Sequence, residues 1–362
     1  MKIARARARL IDKPADHPLV IGLPSDGAKR QFVTLEMETD DGIEGIGITF
    51  FGAALSPALK SAVQALADMT IGEDPMRIGH IVNKLRPHVV GAGPAGIATL
   101  ALSAVDIALW DIKGKALGQS VNAMLGGLRD RAPTYASGAL LRQHPKDYLA
   151  KAGPRFVEMG FCQMKTQLGS EASVSEAIDR IRVLREAVGP DIDVMCDINQ
   201  MWNVNQAIEI GHRLEEFRLF WLEDVTVHDD YQGLARVADA LTTPIAAGEY
   251  VFGIAPFRQL IEQRSIDIVM IDLVRVGGIT QWLKVAGMAE AFNLPVVSHL
   301  FPEIHVQLIT AIPNGLTVEY FPMAHGMFEN PPEIKDGQIH VPEGAGLGLR
   351  FDQAYLGKYE VA

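Results

Sequence analysis

The chain has 362 residues, 48% hydrophobic and 21% charged, with 34 Gly and 20 Pro, the make-up of a large folded globule. Its formal net charge of −11 argues against nucleic acid as a partner, because phosphate binding needs a basic surface. No basic-then-apolar leader opens the sequence and no run of roughly 18 apolar residues occurs, so no membrane partner is expected and the chain reads as soluble and cytoplasmic.

In chain order, residues 2–11, 31–38 and 43–49 are apolar or alternating and predict strands, with Thr39-Asp40-Asp41-Gly42 as a hairpin signal. Residues 16–30 form a Pro/Gly/Asp-rich loop too long for a simple turn. Residues 56–69, 75–85 and 95–116 carry helical period, and Gly126-Gly127 ends the region. An N-terminal α+β capping domain over 1–127 is the simplest reading.

From Ala132 the pattern alternates. Strands are predicted near 133–138, 161–166, 192–197, 217–223, 244–248, 267–272, 294–298 and 315–319, with helices between them. Eight strands and seven helices define a modified (β/α)7β barrel over 128–324, an α/β fold whose last helix is lost. Residues 325–362 are Pro/Gly-rich and are expected to pack back on the capping domain. Cys162 and Cys196 fall in apolar strand runs and read as buried core residues, not a disulfide.

Three carboxylates close three consecutive strands. Asp197, Glu223 and Glu249 follow one another at steps of 26 residues, about one strand, one helix and two loops of a β/α barrel. Acids at the same end of consecutive barrel strands converge, and they share a small site only if a cation neutralises them. Oxygen-only ligands suit a hard ion, Mg²⁺ first. The other strand ends offer Ser137, Lys165, Gln167, Asn199, Asp272, His299 and Glu319, at the face where barrel enzymes place their chemistry. Asp272 and His299 form a natural pair: the carboxylate fixes one ring nitrogen and leaves the other as a general base. The remaining histidines, His17 and His305 among them, read as surface or packing residues.

Together these residues resemble the mandelate racemase subgroup of the enolase superfamily (the mandelate racemase/muconate lactonizing enzyme family). The resemblance rests on Ala104–Asp111 with Gly114-Lys115, Met164–Gln167, Asp197-Ile-Asn199, Trp221–Asp224, Gly248-Glu249, Asp272–Gly278, Ser298–Glu303 and Val318-Glu319. It implies Mg²⁺ on Asp197, Glu223 and Glu249. It implies that Lys165, Asn199 and Glu319 contact the substrate carboxylate or its enolate, and that Asp272–His299 is the base dyad. The implied chemistry is abstraction of the proton α to a carboxylate through an enediolate. Two departures stand out. The family's Lys-x-Lys is Lys165-Thr166-Gln167 here, and many relatives carry proline where this chain has Val225.

Glutamine does not titrate near neutral pH, so Gln167 cannot serve as a second base. The expected reaction is therefore dehydration of a hydroxy carboxylate, such as a sugar acid, to a 2-keto acid. The alternatives are a racemase or epimerase of a 2-hydroxy acid and a catalytically inactive metal-binding barrel. A homo-oligomer is expected. Substrate identity is expected to lie with the 16–30 loop and residues 49–56, where Phe51 and Leu55 would favour an apolar group. Lys29 or Arg30 could hold a distal carboxylate or hydroxyl; the plainer alternative leaves these charges in water.

Overall fold

The computed structural model describes residues 1–20, 22–23, 27–50, 53–93 and 95–361, without the side chain of Ala53. The capping sheet is antiparallel: β1 (Ile3–Pro14), β2 (Lys29–Thr39) and β3 (Glu44–Thr49) lie side by side. The arginines of β1 meet acids on neighbouring strands, Arg9 with Glu36 at 2.5 Å and Arg7 with Glu360 at 2.9 Å. Three helices cover the sheet: α1 (Ser56–Asp68), α2 (Ile78–Val89) and α3 (Ile97–Leu117). Helix α3 is apolar on most sides because it is buried between the sheet and the barrel. It approaches β3 at backbone distance; a Cβ on Gly47 would lie 2.0 Å from the Ala104 carbonyl.

Eight parallel strands then close a barrel: β4 (Arg131–Leu140), β5 (Gln163–Gln167), β6 (Asp193–Asp197), β7 (Trp221–Glu223), β8 (Ile245–Ala247), β9 (Ile268–Asp272), β10 (Val296–His299) and β11 (Gly315–Tyr320). The closing pair is β11 with β4. The fourth barrel strand is shorter than expected. A 3₁₀ turn over Glu215–Phe217 and a left-handed Arg218 (φ 50°) delay its start to Trp221. Cys196 is buried in β6, whereas Cys162 precedes β5 and is exposed; both thiols are free.

Two buried aspartates on α3 tie the cap to the rest. Asp106 accepts from the Thr280 N–H at 2.9 Å on the barrel helix Ile279–Ala291. Asp111 accepts from Ile46 N–H, Lys115 Nζ and Leu347 N–H. Residues 325–362, expected to pack back on the cap, divide their contacts between cap and barrel. Gln338–His340 pairs with Arg131–Pro133 at the start of β4, where buried Ile339 covers the barrel's lower end. Glu360–Val361 adds a fourth strand beside β1. Among the described residues no helix is long and apolar enough to cross a membrane.

Candidate active site

Strand register brings the polar strand ends to one level. Asp197 stands beside Gln167 on one side and Glu223 on the other. His299 stands beside Asp272. Below them Tyr135, Met195, Trp221, Met270 and Val297 fill the barrel. The charges therefore rest on an apolar floor, where repulsion between like charges is strong.

Asp197, Glu223 and Asp224 are buried, and each offers an oxygen within 4.8 Å of the others. Burial raises the pKa of all three, and the neighbouring carboxylates add to it. Asp197 rises to about 6, Glu223 to about 8, and Asp224 well above the ordinary range. Both Asp224 oxygens are buried with no hydrogen-bond partner among the described residues. Its backbone is left-handed at φ 43°, uncommon outside glycine. Crowded acids with orphaned oxygens fit a hard divalent cation.

Glu249 stands close enough to Asp197, Glu223 and Asp224 to raise their pKa values, and it meets the imidazole as well. It follows Gly248, whose φ is 134°, and its Oε2 lies 3.0 Å from His299 Nε2. Arg275 Nη1 donates to its carbonyl at 2.7 Å. Glu249 thus lies between the imidazole and the acids, and Asp224 joins the cluster as a fourth carboxylate. The imidazole beside Glu249 offsets part of the repulsion from those acids. Glu249 still shares the cavity wall with Asp197. Asp224 was quoted in the Trp221–Asp224 motif without being singled out as a ligand; it follows the end of β7 with a left-handed backbone that brings its carboxylate beside Glu223.

His299 Nδ1 lies 2.6 Å from Asp272 Oδ2. The other Asp272 oxygen accepts from the N–H groups of Val274 and Arg275, so the carboxylate is fixed at both ends. Burial opposes a charge on His299, but Glu249 and Asp272 overcome it and lift its pKa to about 9. Burial likewise opposes ionised Asp272, and the His299 hydrogen bond and Arg275 lower its pKa in spite of it.

Lys165 Nζ bridges Glu223 at 2.6 Å and Glu319 at 2.8 Å. Burial disfavours its charge, yet the two carboxylates hold it protonated, with its pKa well above the ordinary range. Burial also opposes charge on Glu319, but Lys165 and His299 bring it down to about 2. Ser137 Oγ and the Leu300 N–H donate to Glu319. Asn199 donates to Asp197 through its backbone N–H at 2.7 Å and its amide at 2.6 Å. Gln167 Nε2 donates to Asp197 at 3.2 Å and to Asn199 at 3.0 Å. Arg142 also reaches Asn199 Oδ1.

A cavity of about 240 Å³ opens over this layer. Ser137, Lys165, Gln167, Asp197, Asn199, Glu249, His299 and Glu319 line it, together with Arg30, Phe50, Leu141, Arg275, Phe321 and Met323. Leu55 does not line it. That residue is 46% exposed at the start of α1, so the expected contact is withdrawn. Phe51 lies outside the described residues. The apolar wall includes Phe50 instead, packed edge-on to Phe301 at 5.7 Å. Lys29 pairs with Asp12 at the surface, whereas Arg30 turns inward. Arg275 was not singled out, although it sits inside the quoted Asp272–Gly278 motif.

Residues 5–126 match the mandelate racemase/muconate lactonizing enzyme N-terminal domain, and residues 147–355 match the enolase C-terminal domain-like family. The chain is similar to the L-talarate/galactarate dehydratase of Salmonella typhimurium, 31% identical over 98% of this chain and 88% of that protein. It is 32% identical to the 3,6-anhydro-alpha-L-galactonate cycloisomerase of Streptomyces coelicolor, over 92% of this chain and 93% of the other. The crystal structure of L-talarate dehydratase from Polaromonas sp. JS666, complexed with Mg and L-glucarate, superposes with a TM-score of 0.92 at 31% identity. It covers 100% of this chain and 98% of that one.

Proposed function

The chain belongs to the mandelate racemase/muconate lactonizing enzyme family of the enolase superfamily, and on that premise we propose that it dehydrates a hydroxy carboxylate, a sugar acid, to a 2-keto acid with Mg²⁺ as cofactor. The observation that carries this reading is the asymmetry of the cavity. His299 on β10, held by Asp272 on β9, lines it on one side, while the wall from β5, with β11 and β4 between, presents Gln167. An amide on that side neither takes nor returns a proton.

We assign the ion to Asp197, Glu223 and Glu249, with Asp224 beside them. Bound there, Mg²⁺ supplies the positive charge that stabilises a doubly negative enediolate. Glu249 is the foremost group holding a proton on His299; a cation held by Glu249 would supply charge that weakens this pull, and His299 would be free to act as base. His299 Nε2 then takes the α-proton while Asp272 holds Nδ1. The same nitrogen returns that proton to the β-hydroxyl, the C–O bond breaks, water leaves, and the enol product becomes the 2-keto acid. Lys165 and Asn199 donate to the reacting carboxylate. Ionised Glu319 keeps Lys165 charged and in place. The Polaromonas complex with Mg supports the cofactor, and the Salmonella dehydratase supports the reaction.

Racemisation needs a second base, and Lys165 is committed to Glu223 and Glu319. The test is exchange in D₂O with sugar acids of each configuration at C2. Exchange from one configuration only, with 2-keto acid formed, is expected. Equal exchange from both, lost for one of them in Lys165→Met, would refute the one-face mechanism and restore the racemase. Neither exchange nor elimination across a broad panel would point to an inactive barrel.

A further inference from the structure

We infer that Arg30 anchors a second, distal carboxylate, so that the substrate is a dicarboxylic hydroxy acid; this deepens the dehydratase reading and rests on it. Arg30 lines the same cavity as Lys165 and His299. Its guanidinium lies over the Phe321 ring at 5.4 Å, which fixes one face and leaves the edge to a ligand. Its Nη1 is buried and has no hydrogen-bond partner among the described residues. A buried, unsatisfied guanidinium nitrogen is costly unless something fills the place.

Nothing in the fold requires a cation there. Arg30 on β2 stands directly opposite Lys13 on β1, and like charges across strands destabilise a sheet. Lys13 is fully buried and has its own partners: the Pro14 carbonyl at 2.8 Å, and Asp16 and the Met323 carbonyl at 3.3 Å each. Burial lowers the pKa of Arg30, which Asp16 only partly offsets. Lys165 already serves the reacting carboxylate. The cavity therefore carries two further cations, of which Arg275 donates to the Glu249 carbonyl while Arg30 has an orphaned Nη1, with Phe50, Leu141 and Met323 among the apolar walls. A planar fork with a free edge is suited to a carboxylate, which it can hold through two parallel bonds. A neutral hydroxyl would leave the guanidinium charge uncompensated.

The test compares dicarboxylic sugar acids with the monocarboxylic acids of matching stereochemistry, using the Mg²⁺-loaded enzyme and 2-keto acid formation as readout. Wild type is expected to favour the dicarboxylic member of a pair in kcat/KM. Arg30→Gln should lower that preference about 10–100-fold, mostly through KM, as for the loss of hydrogen bonds to a charged group. Arg30→Lys should lie between the two. Arg30→Gln should also melt at or above the wild-type temperature, because it removes a like charge facing Lys13. A wild type that prefers monocarboxylic acids, an unchanged preference in Arg30→Gln, or a sharp loss of melting temperature would overturn the inference and leave the dehydratase reading intact. Failure of the dehydratase reading itself shows differently, as no elimination from either acid class.

Discussion

At the scale of single residues, His299 is the group on which the proposed chemistry turns. Its Nδ1 is held by an Asp272 carboxylate whose other oxygen is committed to two backbone N–H groups, so the ring has one orientation to offer. His299→Asn removes the proton acceptor but keeps a polar side chain of comparable reach. Turnover and α-proton exchange should fall by about 10²–10⁴, and Mg²⁺ should still bind, because His299 is not among the assigned ligands. Calorimetric titration with Mg²⁺ beside an exchange assay checks both halves. Near-normal exchange in this variant would mean the base has been misassigned.

At the scale of elements, the helix Pro302–Ile309 follows β10 and is buried along its whole length. Glu303 sits in its first turn, where the helix dipole favours negative charge. Burial outweighs that help and lifts its pKa to about 7, and its Oε2 has no partner among the described residues. The sign follows from proton binding. Between the ordinary value of 4.5 and about 7 the folded chain holds this proton more tightly than the unfolded chain does. Stability from this group is full below that window and is lost as the pH rises through it. Glu303→Gln mimics the protonated form and cannot ionise. It should be more stable than wild type at pH 8, by on the order of 1–3 kcal/mol, with the gap closing by pH 5. Melting curves of both proteins at the two pH values decide; a variant less stable at pH 8 would show that the charge is needed.

At the scale of the whole molecule, the barrel holds its acid cluster at the expense of stability, since Asp197, Glu223 and Asp224 are all buried and all raised in pKa. A cation that binds only the folded chain should return that stability. Mg²⁺ at a hundredfold excess over its Kd adds about 2.7 kcal/mol. The gain should be larger at pH 8 than at pH 6. Protons held on Asp197, up to about 6, and Glu223, up to about 8, compete with the ion at the lower pH. Melting temperatures with Mg²⁺ and with EDTA at both pH values test this. Equal temperatures throughout would remove the ion from the acid cluster.

The alternation of strand and helix, the barrel and the shared level of the polar strand ends were legible in the sequence, because they depend on local period and on strands running in one direction. Asp197, Gln167 and Glu223 meet across three strands for that reason, as do Asp272 and His299 across two. Substitution of the second family lysine by Gln167 was also a property of the chain alone. What only the tertiary structure decided was the direction of each side chain. Glu249 lies between His299 and the acids, and Asp224 enters the acid cluster from a left-handed turn. Leu55 stays in solvent while Phe50 and Arg30 reach the cavity. These choices are set by how like and opposite charges balance in a low-dielectric mouth and by how the cap seats on the barrel. Both are contacts between segments far apart in the chain, and no local pattern records them.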